Sequence, residues 1–568
     1  MKKTVLFGAG RIGVAACERM RSQGIDVAFF VDNNEAKWGA ECGGLKIYPP
    51  KQLLGEDKSI EIVVAMHAGQ SQKSVIMQLN EMGFVYGENV AAYDDMAFMH
   101  IELLTEPFGP GFVTLNEGYS LLKPITNSVL VTDGSPNYIF RVIESKNSKH
   151  MREVFDKIDS NAKLRNFIVP TSIAENECVR DKLALTFKHE RIAPVSYAPE
   201  WSPTMFKDYC LFMIDFIAAL DESDLGLWDP SAFNAAFSKG KFVYFDICGI
   251  YAGKTSVSVL QKFIELHINP LILTVKQPYK GNTLIRHPLL LTKFSDFSEY
   301  LSDGERERYT DLNNKSCKAL MGGHVARCCK LLKELIDFAS SLSNANLSGF
   351  FVNYQDGSYR GLKDSSKWTL KQKTVVSLIN QANPRTVLDL AGNAGWYCMA
   401  VAHDVDYAIA SDLEADASDK AFGWVKELGL TNVLPVCFDL ITPLPAIFRN
   451  NFISSDAITP HKKSAIDRLK CDMVLALAII HHLALSQGLT FDEIISQLLC
   501  FSKRYLIVEF VDRDDFAVSE MIVNRGDFRT NWYTKEGFES VLASKCHIIK
   551  SLPSTDTRVL YLCERVGK

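Results

Sequence analysis

The sequence predicts an α/β protein with more than one domain, and three observations support this prediction. Its 568 residues exceed the size at which a single hydrophobic core stops growing, about 250–300 residues. A strand followed by a glycine-rich turn and a helix occurs twice, at the start and in the last third of the chain. The segment between them mixes alternating strand patterns with long helical patterns. We therefore expect three domains, over residues 1–105, 106–345 and 346–568.

The composition argues against several classes of function. The chain has 62 Lys plus Arg against 67 Asp plus Glu, a net charge of -5, which is unlike a dedicated binder of nucleic acid or anionic membranes. Its 14 cysteines lack metal-ligand spacing, so we expect reduced, buried thiols and no metal site. The first residues do not resemble a signal peptide, and the longest apolar run, Met473 to Ile480, is far shorter than the roughly 20 residues of a membrane span. We expect a cytoplasmic protein without a membrane span.

The first segment has the pattern strand, glycine turn, helix, strand. Strands are predicted over Thr4–Phe7 and Val27–Val31, with a helix between them and Asp32 directly after the second strand. The turn has a complete G-x-G-x-x-G pattern, formed by Gly8, Gly10, Arg11, Ile12 and Gly13. An acidic residue about 20 positions after such glycines is typical of a Rossmann-like dinucleotide site, where it contacts the ribose. By spacing alone the motif indicates NAD, but no dehydrogenase catalytic constellation follows it.

Two stretches after this motif, residues 31–39 and 44–53, resemble the accessory Rossmann domain of bacterial sugar acyltransferases and sugar methyltransferases. The resemblance implies a nucleotide or nucleotide-sugar site on the first domain. A purely structural domain without a ligand is the alternative.

The middle segment contains a short constellation of polar residues. Alternating patterns over 129–132 and 138–143 predict antiparallel strands, and helices are predicted over about 203–220 and 325–341. Between them come Asp229, Asn234 and Asp246, with a hairpin turning at Lys239-Gly240.

Protein kinases use this order of residues, with one Asp meeting the substrate hydroxyl and the Asn and second Asp holding magnesium on ATP. No glycine-rich phosphate loop is evident, however, and Arg141 stands on the strand where a kinase keeps its lysine. We therefore expect an α+β kinase-like domain that has lost phosphotransfer. An active kinase is the alternative.

The last segment alternates helices and strands. Strands are predicted from Thr386, over Tyr407–Asp412, from Val433, over about 472–478 and 505–509, and over 557–563. This pattern predicts one doubly wound sheet that ends in an antiparallel hairpin.

Three successive strands of that sheet end in Asp389, Asp412 and Asp439, and ligands of open α/β sheets bind at these carboxyl ends. A glycine-rich turn, an acid for both ribose hydroxyls and an acid facing the adenine amino group together describe a pocket for S-adenosylmethionine (SAM). The candidate cofactor-binding residues are Lys371, Asp389, Ala391, Gly392, Asn393, Gly395, Trp396, Asp412, Leu413, Asp439 and Leu440.

The segment from Val387 to Trp396 resembles the glycine motif of class I SAM-dependent methyltransferases. Ala391 and Asn393 replace the first and second glycines of that motif, whereas Gly395 is kept. The resemblance implies a Rossmann-like methyltransferase fold.

Further motifs narrow the resemblance to the NoeA-type methyltransferases, first met in host-specific nodulation and common in bacterial surface-glycan contexts. They lie at residues 195–203, 229–234, 243–246, 471–483, 506–511, 532–538 and 557–563, so the resemblance covers roughly 190 to 568. It implies methyl transfer to a small-molecule or glycan acceptor, and we expect O-methylation of a sugar, a glycan or a related small molecule.

Methyl transfer to a hydroxyl needs a base near the methyl group, and His has a suitable unperturbed pKa. His481 and His482 follow the fourth predicted strand of this segment, and Glu509 ends the fifth, where it could orient a His or accept a proton. Two other functions stay open: a bifunctional kinase-methyltransferase that caps a glycan, and a non-catalytic nucleotide-binding scaffold. The sequence does not predict an oligomeric state.

Overall fold

The structure is a computed structural model of the 568-residue chain. It describes residues 4–22, 25–57, 60–66, 70–85, 89–92, 115–116, 118–125, 128–143, 145–174, 177–179, 184–277, 291–342, 362, 364–443, 464–525 and 530–566. The chain divides near residue 114 into two compact units, and the second unit contains most of both predicted segments 106–345 and 346–568. Strands and helices occur in both units, so the predicted α/β class is confirmed. The two domain boundaries near 105 and 345 lie outside the described residues.

The first unit is a parallel sheet with one short antiparallel edge. Its elements are β1 (Thr4–Phe7), α1 (Arg11–Ser22), β2 (Val27–Val31), β3 (Glu41–Cys42), β4 (Leu45–Tyr48), β5 (Glu61–Val64), α2 (Gln70–Glu81) and β6 (Val90–Ala92). The strand order is β3-β4-β2-β1-β5-β6. Val5 and Phe7 join one apolar cluster and Leu6 joins another, because successive side chains of a strand point to opposite faces. Both faces of β1 are therefore buried, as expected for a parallel strand covered on each side.

The second unit begins with an antiparallel sheet, in the order β10-β11-β9-β8-β7. Its elements up to residue 342 are β7 (Ser120–Ile125), β8 (Ser128–Thr132), β9 (Tyr138–Ile143), α3 (Ser145–Ser160), α4 (Ala162–Arg165), β10 (Thr171–Ile173), β11 (Leu185–Glu190), α5 (Pro203–Asp221), β12 (Leu225–Leu227), β13 (Ala235–Ser238), β14 (Lys241–Tyr244), β15 (Ile250–Ala252), α6 (Val257–Phe263), α7 (Asn269–Lys276), α8 (Asp303–Met321) and α9 (Val325–Ser341). The predicted hairpin is present, because β13 pairs antiparallel with β14 and Lys239 and Gly240 at its turn have positive φ.

Helix α5 is the central helix of this part. Ser202 accepts a hydrogen bond from the N–H of Met205 and Pro203 occupies the first turn, a combination that favours a helix start. Apolar residues are buried along most of its length, as expected for a helix enclosed by other elements. Helix α5 contacts α9.

The chain then forms a second sheet in the order β18-β17-β16-β19-β20-β22-β21. Its elements are α10 (Leu370–Ala382), β16 (Thr386–Leu390), α11 (Trp396–Ala400), β17 (Tyr407–Asp412), α12 (Ala415–Glu427), β18 (Val433–Cys437), α13 (Ala465–Leu469), β19 (Cys471–Ala476), α14 (Phe491–Phe501), β20 (Ser502–Val511), α15 (Phe516–Arg525), α16 (Lys535–Lys545), β21 (Cys546–Thr555) and β22 (Arg558–Arg565). Strands β16 to β20 pair in parallel, whereas β22 is antiparallel to β20 and β21. The doubly wound sheet with an antiparallel last hairpin is thus present.

A buried ion pair joins the two parts of the second unit. The guanidinium of Arg468, on α13, donates to both carboxylate oxygens of Glu200 and to the carbonyl of Val195. Its charge also lies 4.0 Å from the centroid of the Tyr197 ring. Both side chains of the ion pair are almost completely buried. The stretch 195–203 therefore has a structural role here, which is to hold the amino-terminal part of the unit against the last sheet.

Three further observations concern the whole described chain. All 14 cysteines are free thiols. Within the described residues, no cluster of three or more His, Cys, Asp or Glu has the arrangement of a metal site. Among these same residues, no helix has both the length and the apolar character that a membrane span requires.

Candidate functional site

The loop between β16 and α11 has backbone conformations typical of glycine, and two of the residues that adopt them are not glycine. Ala391 and Asn393 have φ of 55° and 52°, and Gly395 has φ of 75°. Such left-handed conformations favour glycine and are tolerated by Asn, because other side chains crowd the backbone there. The two replacements noted in the sequence therefore leave the shape of the turn intact.

Two glycines of this loop allow close approaches that a side chain would prevent. A Cβ on Gly392 would lie 2.4 Å from Oδ2 of Asp389, and a Cβ on Gly395 would lie 2.5 Å from the Cβ of Ala410. The loop thus lies directly over the Asp389 carboxyl and against β17. Trp396, which begins α11, is buried and makes an edge contact with Trp368, with ring centroids 5.1 Å apart.

Asp412 ties the glycine loop to the end of β17. Its carboxylate accepts the N–H of Asn393 at 2.8 Å and the N–H of Glu414 at 2.9 Å. Burial raises the pKa of Asp412, although these backbone N–H groups oppose the rise. A carboxylate has about four lone-pair positions, so these backbone bonds do not use all of its acceptor capacity. Leu413, the next residue, is 47% exposed and offers an apolar surface beside that carboxylate.

Asp439 follows β18 and stabilises its own turn. One carboxylate oxygen accepts the N–H of Ile441 and the other accepts the hydroxyl of Thr442, both at 2.8 Å. The carbonyl of the neighbouring Leu440 accepts the side-chain amide of Gln497 at 2.6 Å. These contacts fix the third strand end without using every acceptor position of the Asp439 carboxylate.

Asp389 differs from the other two acids because its carboxyl has no hydrogen-bond partner in the described structure. The residue is 1% exposed, and both of its side-chain oxygens are buried and unpartnered. Burial raises the pKa of Asp389 to about 7, and the negative charge of Asp412 adds to the rise while Lys371 opposes it. Buried polar groups nearly always have partners, so this carboxyl departs from the usual pattern.

Lys371 lies near the start of α10, a helix that begins with a capping box between Thr369 and Gln372. Its ammonium forms an ion pair with Glu509 on β20, with Nζ 2.6 Å from Oε2. The hydroxyl of Ser554 donates to the other oxygen of Glu509 at 2.7 Å. Glu509 is fully buried and bonded at both oxygens, which favours a structural role for it. The predicted role of Lys371 in cofactor binding stays a prediction.

The two candidate histidines follow β19. Ala478 has φ of 52° and turns the chain into the segment that contains His481 and His482, whose rings lie 4.3 Å apart. His481 is buried, its Nδ1 has no hydrogen-bond partner, and burial lowers its pKa to about 3. Burial also lowers the pKa of the less buried His482. Both rings are therefore neutral at pH 7.

Sequence reasoning missed two charged residues near these histidines. Asp515, just before α15, and Arg558, at the start of β22, form a two-point ion pair with distances of 2.7 and 3.0 Å. The charge of Arg558 lowers the pKa of His481, and the charge of Asp515 raises it. Asp515 follows the end of β20 closely, so the rule that strand ends hold functional acids indicates it.

The kinase-like constellation is brought together, but its carboxylates are paired with cations of the chain. The guanidinium of Arg141, fully buried on β9, lies 2.8 Å from Oδ1 of Asp246, and Lys262 lies 3.1 Å from Oδ1 of Asp229. The side-chain amide of Asn234 donates to the carbonyl and the carboxylate of Asp229, each at 3.3 Å. Burial raises the pKa of Asp246 and Arg141 opposes the rise. Two positions expected to meet magnesium or substrate therefore already hold positive charge.

The first unit holds its glycine turn as the motif predicts. A Cβ on Gly13 would lie 1.9 Å from the carbonyl oxygen of Gly8, so that contact requires glycine, whereas Gly10 faces open space. The carboxylate of Asp32 accepts the N–H of Ala9 at 2.8 Å and pairs with Lys37 at 2.9 Å. The side chains of the predicted residues Arg11 and Ile12 lie outside the described part of the chain.

Comparison with curated proteins finds similarity to a nodulation protein. The chain is 24% identical over 412 residues to the nodulation protein NoeA of Rhizobium meliloti (strain 1021), covering 69% of this chain and 84% of that protein. No protein-family model matches the chain.

Similar solved structures include three methyltransferases. They are a SAM-dependent methyltransferase from Aquifex aeolicus (15% identity, TM-score 0.27, 39% of this chain and 100% of that chain), the N-methyltransferase NodS from Bradyrhizobium japonicum WM9 with S-adenosyl-l-homocysteine (10%, 0.25, 37% and 100%), and the bifunctional kinase-methyltransferase WbdD (13%, 0.26, 39% and 44%). These TM-scores are low, so the likenesses carry no conclusion about activity. The similarity to NoeA extends over most of both chains, and it confirms the resemblance to NoeA-type proteins that the motifs predicted.

Proposed function

We propose that the chain is a SAM-dependent methyltransferase whose last sheet binds SAM and whose acceptor is a sugar, a glycan or a related small molecule. The observation that carries this proposal is the glycine-type loop at the carboxyl end of β16, lying over a buried carboxyl without a partner and tied to Asp412. In open α/β sheets this edge is where nucleotide-like ligands bind.

The described residues fit SAM at this edge. Gly392 and Gly395 have no room for a side chain and bring the backbone close to the site, Asp412 keeps acceptor positions for ribose hydroxyls, and Leu413 exposes an apolar surface on which an adenine ring can lie. The carboxyl of Asp389, which has no hydrogen-bond partner among the described residues, can pair with a positively charged group of SAM.

SAM supplies a methyl group on a positively charged sulfur, which an acceptor oxygen attacks. The chain contributes mainly position, because an in-line approach of the reacting atoms lowers the barrier more than heavy acid–base chemistry does. His482 serves as the base for the acceptor hydroxyl, since it is neutral and less buried than His481. The ion pair of Asp515 with Arg558 lies beside this segment and fixes its surroundings.

The sugar or glycan acceptor rests on the similarity to a nodulation protein and on the resemblance of the first unit to domains of sugar-modifying enzymes. A nucleotide or nucleotide-sugar site at Gly8, Gly13 and Asp32 belongs to the same proposal. The alternative of a bifunctional kinase is less well supported, because Arg141 and Lys262 already pair with the two carboxylates that a kinase would use. A scaffold without catalysis predicts no formation of S-adenosylhomocysteine with any acceptor.

The test is calorimetric titration of the full-length chain with SAM, beside ATP and a UDP-sugar. We expect micromolar binding of SAM, weakened about 100-fold or more in Asp412→Ala, because hydrogen bonds to a charged group contribute about 1.5–3 kcal/mol each. The matched control is Asp472→Ala, since Asp472 lies near the amino end of β19 and accepts the N–H of Arg385 there. Unchanged affinity in Asp412→Ala would remove that residue from the site. Absence of SAM binding, with binding of ATP or the UDP-sugar, would place the function in the upstream parts of the chain.

Once a screen of sugars yields S-adenosylhomocysteine, His482→Ala should slow that reaction about 10²–10⁴-fold and leave SAM affinity unchanged. Full activity in a variant that lacks both His481 and His482 would exclude a histidine base.

A further inference from the structure

The carboxyl of Asp389 is the least satisfied acidic group at the proposed site. It lies at the carboxyl end of β16, beneath the glycine loop, and Gly392 approaches it so closely that a Cβ would lie 2.4–3.0 Å from its carboxyl atoms. Neither oxygen has a hydrogen-bond partner in the described chain. An isolated buried carboxylate is costly, and such a group takes up a proton instead of remaining charged.

The groups that face Asp389 come from four elements. Asp412, at the end of β17, adds negative charge and favours the protonated form, whereas Lys371 on α10 favours the ionised form. The ammonium of Lys371 is already paired with Glu509 on β20. Cys398 on α11 also lies close enough to interact with Asp389, but burial raises the pKa of this thiol well above its usual range, so it stays neutral. The strand neighbours of Asp389 in the sheet are Ala410 and Leu475, which bring no charge.

We propose that the Asp389 carboxyl is protonated in the ligand-free protein and gives up its proton to solvent when SAM binds, so that SAM binding and proton release are linked. The proposal rests on the proposed function, because it takes the edge of β16 to be the SAM site. SAM has a sulfonium and an ammonium group, and either one provides the positive charge that the carboxyl lacks. The O–H bond of Asp389 breaks, its electron pair stays on the carboxylate, and the buffer accepts the proton.

The sign of the effect follows from linkage. In the free protein the pKa of Asp389 is raised to about 7, and burial is the largest cause. A cation beside the carboxylate lowers that pKa in the complex. SAM binding therefore strengthens as the pH rises towards 7, by up to about tenfold per pH unit, and levels off above it. His481 stays neutral over this range because burial lowers its pKa to about 3, and burial lowers the pKa of His482 as well.

The experiment is calorimetric SAM titration of the full-length chain at fixed pH in buffers with different enthalpies of ionisation, which counts the protons released. We expect about 0.9 proton per SAM at pH 6 and about 0.1 at pH 8. Release should be absent in Asp389→Asn, which cannot ionise, and retained in the control Asp472→Asn. A release that persists in Asp389→Asn, or no release from the natural chain at pH 6, would overturn the proposal.

A second measurement does not depend on the folding of a variant. Infrared difference spectra of the natural chain at pH 6 should show the carbonyl stretch of a protonated carboxylic acid disappear when SAM is added. An unchanged carboxylic acid band in a sample saturated with SAM would contradict the proposal. Failure of SAM to bind at any pH would instead overturn the proposed function, so the two failures are distinguishable.

Titration with S-adenosylhomocysteine, which lacks the sulfonium charge but keeps the ammonium group, shows which cation Asp389 meets. Equal release with both ligands assigns the ammonium group, and release with SAM alone assigns the sulfonium. No release with either ligand overturns the linkage.

Discussion

Two acidic clusters of the second unit differ in how their carboxyl groups are satisfied. At the edge of the last sheet, Asp389 is buried without any hydrogen-bond partner in the described structure. In the kinase-like constellation, by contrast, Asp246 is paired with Arg141 and Asp229 with Lys262. A buried charge must be paired or neutralised. In the first cluster burial therefore favours the protonated, neutral form of Asp389, whereas in the second the chain itself supplies the cations.

The largest expected change in stability concerns the paired cluster, in which Arg141 meets Asp246. Replacement Arg141→Leu leaves the buried Asp246 without its cation and should destabilise the fold by about 3–5 kcal/mol at pH 7. The destabilisation should shrink at pH 5, because the unpaired Asp246, whose pKa burial already raises, then takes up a proton. Urea unfolding of the full-length chain at both pH values measures this difference.

The matched control for Arg141 is a lysine in an exposed ion pair. Lys333 pairs with Asp215 at the surface, so Lys333→Ala should change the stability by no more than about 1 kcal/mol. An equally small effect for Arg141→Leu would show that the kinase-like cluster does not depend on its internal cation.

The glycine loop beside Asp389 should control SAM binding at the unpaired cluster. Replacement Gly392→Ala pushes a methyl group against the Asp389 carboxyl, and a displaced loop should weaken SAM binding about tenfold or more, because each hydrogen bond lost to the ligand contributes about 0.5–1.5 kcal/mol. Calorimetry measures the loss.

Gly423→Ala provides the matched control, since Gly423 lies inside α12 with open space around it. It should leave SAM affinity unchanged and stabilise the chain by about 0.5–1 kcal/mol, as removal of a glycine from a helix does. Normal SAM affinity in Gly392→Ala would separate the loop from the site.

The smallest expected change in stability concerns Asp389, and its sign is opposite to that expected for Arg141→Leu. The pKa of Asp389 in the free protein is raised to about 7, so the folded state holds a proton that the unfolded state has lost between about pH 4 and pH 7. Stability therefore falls as the pH rises through this window. Asp389→Asn removes this penalty, so it should stabilise the ligand-free chain by about 1–3 kcal/mol more at pH 8 than at pH 5. Thermal unfolding at the two pH values tests this, and a stabilisation no larger at pH 8 than at pH 5 would contradict it.

Many local elements could be predicted from the sequence. The strands over Thr4–Phe7, Val27–Val31 and Tyr407–Asp412 and the helix over Val325–Ser341 have their predicted bounds. Apolar runs bounded by strong turn residues, or apolar residues at helical spacing, specify such elements locally. The order of helices and strands after residue 370 likewise predicted the doubly wound sheet.

Other features could not be predicted. Strand β21, over Cys546–Thr555, was expected only as part of a final hairpin, because most of its side chains are exposed or half-buried and give no apolar alternation to detect. The pairing of Glu509 with Lys371 joins residues 138 positions apart, and that of Arg468 with Glu200 joins residues 268 positions apart. No local pattern indicates which charges meet at such separations.

Local sequence patterns are enough to predict the glycine turns, the acids at the strand ends and the α/β class, because these depend on backbone conformation and on the period of apolar residues. Which of the acids is paired depends on contacts that form only in the folded chain. Asp389 and Asp246 both occur at or just after the end of an apolar strand, yet one is left without a partner and the other meets Arg141 from a distant strand. Burial and the approach of remote charges control the protonation of a carboxyl, and both arise only when the chain folds.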